Sequence, residues 1–288
     1  MKPRNLSSRQ RPGRMSRTAL PGFRLALGCT LAYLGVIVLL PLSALVFQSA
    51  GLGWERFASV VTSPRALAAF QVTALAALGA TAFNAVFGLG LAWVLARYSF
   101  PGKRVLDALI DVPFALPTAV AGVALTALFA GNGWYGRFLE PLGIKVAYAP
   151  LGIMAAMAFT SIPFVVRSVQ PVLEDLSDET EEAAETLGAG PLRIFLSVVF
   201  PAIFPAYLAG CSLAFARSLG EFGAVIFIAG NQPFRTEIAA LLAFIRLEEY
   251  DYQGAAAIAV VMLAAAFVML LVVNAIQLWH LRYAREGQ

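Results

Sequence analysis

Glu182-Ala183-Ala184-Glu185-Thr186-Leu187-Gly188, followed by Pro201, is the stretch whose reading decides the fold. It is acidic, then small and apolar, then broken at a glycine. It lies between two long apolar runs. Ser177 can cap a helix whose first turn holds Asp178, Glu179 and Thr180, where acids favour the positive end of the helix dipole. Gly188 suits the left-handed residue just past the end of that helix. Gly190-Pro191 then restarts a second short helix, with proline at its first position, running through Leu192, Ile194, Phe195 and Val198 to Pro201. The loop, about residues 171–201, therefore reads as two short helices at an angle, with Ala183, Ala184 and Leu187 as a small apolar face. The simpler alternative is a solvated acidic loop; the ordered cap, break and restart argue against it. A polar helix carried on the inner face of an apolar bundle can take force from a soluble partner.

The surroundings are apolar enough to be that bundle. Of 288 residues, 59% are hydrophobic and 13% charged, and the mean hydropathy is +0.75. Soluble domains run near a quarter charged, so composition makes this a membrane protein. Charge-free stretches run from Leu25 to Trp54, Ala66 to Ala96, Val112 to Gly136, Val146 to Val166, Ile194 to Ala216 and Tyr252 to Leu281. Each holds the ~20 residues of a spanning helix. The bilayer core leaves backbone groups no water, so these runs are expected to be helical. The expectation is an all-α membrane protein with six transmembrane helices. Lys and Arg number fourteen on the side that holds the 182–188 segment and both termini, against six on the other. The heavier side should be cytoplasmic. The basic balance reflects this topology and does not indicate nucleic acid.

Residues 1–24 read as a basic, disordered cytoplasmic tail, with Met15 as an alternative start; a cleaved signal peptide does not fit, because the first apolar run is too long. Cys29 and Cys211 fall in separate helices and make neither a disulfide framework nor a metal spacing. His280, the single histidine, stands beside Trp279 at a helix end and reads as an interfacial side chain. The chain lacks a Walker A pattern and HExxH. The first helix, about 25–47, contains Pro41 and reads as peripheral. The second, about 69–94, is rich in Ala and Gly, which lets helices approach closely. The third begins near Asp111 and is expected to bend at Pro113 and Pro117. The fourth covers about 151–169, the fifth about 202–229 and the sixth about 255–278.

The segment resembles the signature of binding-protein-dependent ABC importer permeases: EAA, three residues, G, nine residues, then Ile-x-Leu-Pro. Here it reads Glu182-Ala183-Ala184, Gly188, Val198, Phe200, Pro201, with Val and Phe in the Ile and Leu slots. A second stretch, from Phe215-Ala216-Arg217-Ser218-Leu219-Gly220-Glu221-Phe222-Gly223 to Gly230-Asn231, is similar to the oxyanion branch of that family, the sulfate and molybdate permeases. Thr236-Glu237, Ile245-Arg246-Leu247, Tyr250-Asp251-Tyr252 and Leu116-Pro117-Thr118-Ala119-Val120-Ala121-Gly122 resemble the T-subunit of sulfate/thiosulfate importers more than the W-subunit or the molybdate permease. The resemblance covers about residues 25–283. It implies a type I ABC importer permease fold and a chain that is a transport subunit rather than an enzyme. Glu182, Ala183, Ala184, Leu187, Gly188 and Pro201 would then couple to an ATPase. It also implies a bacterial inner-membrane location, a homologous W-subunit, an ABC ATPase dimer that binds the ATP and magnesium, and a periplasmic sulfate/thiosulfate-binding protein. No cofactor is expected in this chain. A molybdate or tungstate permease and an ion-coupled secondary carrier remain the alternatives.

Arg217 and Glu221 are spaced i, i+4 and can share one helix face. Charges within a span mark a pathway or a fixed internal pair. Arg217, Ser218, Gly220, Glu221 and Gly223 are therefore candidates for the anion path or its gate. A permanent bridge that fixes packing accounts for Arg217 and Glu221 equally well. Asp111 reads as an interfacial charge.

Overall fold

The computed structural model describes residues 23–286, with the side chains of Arg24 and residues 277–286 excluded. The basic tail up to residue 22 lies outside the described residues, and the readings made for the side chains of Trp279 and His280 lie outside what is described. Among the described residues all regular structure is helical. Five helices are long and apolar enough to cross a membrane, and a sixth candidate is a bent pair. The chain divides into two compact units, one up to Leu45 and one from Val46 onward.

The first unit is apolar and helical, and its last helix runs on past Leu45. α1 (Phe23–Leu34) passes through a π turn at Gly35–Leu39 into α2 (Leu40–Ala50). The π turn stands just before Pro41, whose ring would otherwise press on the carbonyl four residues back.

In the second unit α3 (Trp54–Val61) leads into α4 (Pro64–Arg97). α5 (Lys103–Ala115) and α6 (Thr118–Phe129) follow, bent by 114° across Leu116-Pro117. The third span therefore begins earlier than its charge-free run implies. Lys103, Arg104, Asp107 and Asp111 are helical, and a span can carry charges at its end. A short α7 (Gly136–Leu139) precedes α8 (Pro150–Asp175). Then come α9 (Asp178–Thr186), α10 (Pro191–Ile194) and α11 (Phe200–Leu219). α12 (Val225–Ile228), α13 (Ala239–Glu248) and α14 (Tyr252–Glu286) complete the chain.

α8 is the central column, packed between α4 and α11. Ile153, Met157, Val165, Val169 and Leu173 on α8 are fully buried. Lipid tails are as apolar as these side chains, so burial itself drives little association. Close van der Waals fit and interhelical hydrogen bonds carry it instead. Gly88 accordingly sits against Val165, and Gly210 against the Phe164 carbonyl.

Two predicted boundaries fail for a common reason. α11 stops at Leu219, ten residues before the expected end, and the chain turns through Gly220–Ala224 into α12. An apolar run keeps its hydropathy through a turn when the turn is buried, so composition cannot locate the break. At the other end, the expected second short helix is not separate. α10 passes through a π turn at Phe195–Val199 directly into α11, giving one 29-residue span, Pro191–Leu219. Pro201 lies inside this helix. The widened turn just ahead of it repeats the arrangement at Pro41.

The α13–α14 corner is closed by Asp251. Its Oδ1 accepts from the Gly254 N–H (3.0 Å) and its Oδ2 from Arg246 Nη1 (2.7 Å). Burial alone would push this carboxyl up, but the Gly254 N–H and the Arg246 guanidinium overrule it and hold it below its ordinary value. A depressed carboxyl pKa stabilises the fold above the unfolded value, near ~4, and that contribution is lost as the pH falls through the folded one. Asp251→Asn keeps an acceptor for Gly254 and loses the charge facing Arg246, and is therefore expected to cost about 0.5 kcal/mol at pH 7. Thermal unfolding of the purified chain should show the gap between wild type and variant closing below about pH 4.

Candidate functional site: a capped loop and two interlocked breaks

The 182–188 segment lies in α9, with its C-terminal signal fully formed. Gly188 has φ +83°. Its N–H donates to the Glu185 carbonyl (2.8 Å), and the Ala189 N–H donates to Ala184 (3.1 Å). These two bonds are the pair that defines a Schellman ending, which needs a residue free to adopt the left-handed conformation. The N-terminus differs from expectation. Ser177 occupies the cap position but bonds no backbone N–H; its hydroxyl lies 3.3 Å from that of Thr180. Asp178 and Glu181 instead reach Arg97 at the end of α4, Asp178 at 2.5 Å. Arg97 also sits over the Trp93 ring, whose edge meets Phe195 of the α10–α11 π turn. The loop is thus held from both sides on the end of the bundle. Leu187 is 88% exposed and Glu182 and Ala183 are exposed, while Ala184 is half-buried.

The second constellation lies where two spans break. Glu221, read from the sequence as mid-helix, stands just outside α11. It still pairs with Arg217: Oε2 is 2.6 Å from Nη1. Its other oxygen accepts the Ala224 N–H (2.9 Å) at the entry to α12. Glu221 is 1% exposed and Arg217 is 32% exposed. The carboxylate is fixed; the guanidinium keeps an open side. Gly220 is exposed, with open space where a Cβ would point. This turn meets the break in the third span directly. A Cβ on Gly223 would overlap the Thr118 hydroxyl, and one on Gly122 would overlap the Ala224 carbonyl. Pro117 is the residue that precedes α6, and Pro113 lies inside α5, buried. Ser218 faces away from the turn and is fully buried against α8.

A third cluster escaped the sequence reading. Arg167, counted there only among the fourteen positive charges of one side, lies within α8. Its Nε and Nη2 donate to Asp111 (2.8 and 2.7 Å), and its Nη1 donates to Asp107 (2.7 Å) and Gln170 (2.9 Å). Asp111 is thus a partner in a clamp rather than a lone interfacial charge. The i, i+4 spacing of Asp107 and Asp111 was the available signal. The half of span three before the break is tied to α8 by charge, and the half after it to α12 by close packing. Metal-ligand clusters are absent among the described residues.

Such an arrangement defines a multi-pass helical membrane protein with a capped loop at one end. The chain belongs to the family of binding-protein-dependent transport system inner membrane components, whose model matches residues 85–285. It is similar to the sulfate transport system permease protein CysT of Salmonella typhimurium, 58% identical over 262 residues, covering 91% of this chain and 95% of the relative. The protein of the same name in Escherichia coli is 57% identical with the same coverage. That of Synechocystis sp. is 47% identical, covering 89% and 90%. The fold is similar to that in the crystal structure of a bacterial ABC transporter involved in import of the acidic polysaccharide alginate. The TM-score is 0.72 at 14% identity, covering 88% of this chain and 94% of that one. A second structure of an alginate transporter, in complex with an alginate-pentasaccharide-bound periplasmic protein, gives 0.71 at 16% identity, covering 87% and 92%. At these identities the likeness concerns the fold.

Arg97 is expected to be what holds α9 in place. Arg97→Ala should leave the chain in the membrane but raise cleavage of the 178–190 loop by a glutamate-specific protease about fivefold, the factor carried by ~1 kcal/mol. Unchanged cleavage would mean that the Trp93–Phe195 contact suffices.

Proposed function

We propose that this chain is the membrane permease subunit of an ATP-driven sulfate importer, with thiosulfate as a second cargo. The observation that carries the reading is the likeness to sulfate permeases along nearly the whole chain, together with a capped, outward-facing α9 of the kind a motor subunit can grip. α9 docks on an ABC ATPase dimer that binds the ATP and magnesium. A homologous W-type permease completes the pathway, and a periplasmic sulfate/thiosulfate-binding protein delivers the anion. Both termini and α9 face the cytoplasm of a bacterial cell, as the Lys and Arg asymmetry favours.

In this reading ATP binding closes the ATPase dimer and draws α9 with it. α9 is tied through Arg97 to α4, and α10 runs into α11, so both helices are pulled together. α11 ends at the turn that carries Glu221, and that turn is interlocked with the break in span three. A pull on the loop therefore reaches both breaks. Swinging the bundle fully between two states takes a differential of ~5 kcal/mol, which ATP and the loaded receptor can supply by each preferring one state.

Arg217 and Glu221 line the anion route. Glu221 is immobilised by the Ala224 N–H and neutralises Arg217, so a dianion is drawn to the open side of the guanidinium without being trapped. Conduction needs that weak engagement. Glu221→Gln keeps an acceptor for the Ala224 N–H while removing the charge. The variant importer is expected to hold sulfate more tightly, with KM and maximal uptake both falling several-fold. Collapse of the complex yield instead would make the pair a brace.

The reading is tested by reconstituting the four-component complex in vesicles and following labelled sulfate. Uptake should require ATP and the receptor, and excess thiosulfate should compete while molybdate does not. Uptake by this chain alone without nucleotide would favour an ion-coupled carrier. Competition by molybdate alone would shift the cargo.

A further inference from the structure

The centre of the bundle holds a polar node that the transport reading leaves unused. Asn84 on α4, Ser161 on α8 and Ser218 on α11 are all 0% exposed. Asn84 Nδ2 donates to Ser161 Oγ (2.8 Å) and to the Ala158 carbonyl (3.0 Å). Ser218 Oγ donates to Ser161 Oγ (3.2 Å), and Ser161 Oγ donates to the Met157 carbonyl (2.6 Å). One hydroxyl near the middle of α8 therefore joins the three packed spans. At this depth polar contacts are hard to replace, because neither lipid nor water offers a partner.

Two features make this node more than a brace. Ser218 sits where α11 stops, and its carbonyl accepts the N–H groups of Gly220 and Glu221. Its side chain is pinned to α8 while its backbone starts the turn that presents Glu221 beside Arg217. Secondly, the Asn84 carbonyl oxygen Oδ1 is buried with no hydrogen-bond partner, a costly condition for a polar atom. That spare acceptor belongs to the same amide that bonds Ser161, the residue to which the Ser218 hydroxyl also bonds. The bond Ser218 makes now is long.

We propose that Asn84 and Ser161 are positioning residues that set the end of α11 through a two-position hydrogen bond. In the arrangement described here Ser218 donates to Ser161; in the other state of the bundle α11 shifts against α4 and Ser218 donates to Asn84 Oδ1. The node supplies each state with one bond and leaves the intermediate positions with none. Packed elements that choose between discrete arrangements are what turn a small displacement at one end of a bundle into a switch. The inference rests on the importer reading given above.

The test uses the assembled importer in vesicles, measuring sulfate uptake and receptor-independent ATP hydrolysis for Asn84→Leu and Ser218→Ala. Asn84→Leu is close in size and leaves the Ser161–Ser218 bond its partners, while deleting the alternative acceptor together with the Asn84 bonds to Ser161 and Ala158. Ser218→Ala deletes the bond in both states. Asn84→Leu, which removes a bond from one state only, is expected to shift basal ATP hydrolysis by about fivefold, the factor one neutral hydrogen bond is worth, whereas Ser218→Ala, which removes one from each, should leave it near wild type. Sulfate carried per ATP should fall in both, and Ser218→Thr should restore it. If both variants lower hydrolysis and uptake together, or leave both unchanged, the node is only packing and the proposal is overturned. Failure of the importer reading is distinct, since wild-type vesicles would then take up no sulfate.

Discussion

A chain that stops its helix inside an apolar bundle must satisfy the freed backbone groups from its own side chains. Everything at the centre of this structure follows from how that is done at Glu221. One carboxylate oxygen takes the Ala224 N–H and the other faces Arg217, while the Ser218 carbonyl takes the N–H groups that the end of α11 releases. An uncompensated carboxylate at this burial would cost several kcal/mol. With its partners in place, the turn is rigid enough to pack against a second break. Span three is broken by Pro117, and the contacts of Gly122 with Ala224 and of Gly223 with Thr118 join the two interruptions into one element. Two broken spans locked together can move as a unit, which two intact helices cannot do without sliding their whole length.

The opposite end of the bundle is organised around one cation. Arg97 ends α4 and gathers Asp178 and Glu181, so the first turn of α9 is tied to the bundle although Asp178 itself stays exposed. Because α10 runs through a π turn straight into α11, displacement of the loop becomes displacement of the helix that ends at Leu219. The Arg167 clamp with Asp107 and Asp111 anchors the neighbouring α5 to α8 over the same stretch.

Much of this was legible in the residues. Apolar run lengths disclose the spans, because the bilayer imposes a length. The ending of α9 was legible because Gly188 is a local signal read by residues within four positions of it. The pairing of Arg217 with Glu221 was visible from spacing, but not the break between them: α11 stops because of contacts with Thr118, Gly122 and Ser161, all distant in sequence. The Asn84–Ser161 bond spans 77 residues, and nothing local marks either partner. Arg97 and Arg167 entered the reading only as positive charges that set orientation. Their carboxylate partners lie 81 and 60 residues away for Asp178 and Asp107, so the clamps emerge only once the helices are packed. Local chemistry announces caps and turns; sites assembled from several helices stay hidden until the fold is known.

The central claim is that the interlocked turn at 220–224 changes its exposure when the motor end moves. Gly220 offers open space for a side chain, so Gly220→Cys can be placed there in a background with Cys29 and Cys211 changed to serine. The direct measurement is its reaction rate with a membrane-impermeant maleimide added outside vesicles that hold the complete importer, with and without a non-hydrolysable ATP analogue. The account predicts a clear difference in rate between the two conditions, absent in an Arg97→Ala complex. Equal rates would mean that the turn is a fixed part of the wall and that the force from the loop goes elsewhere.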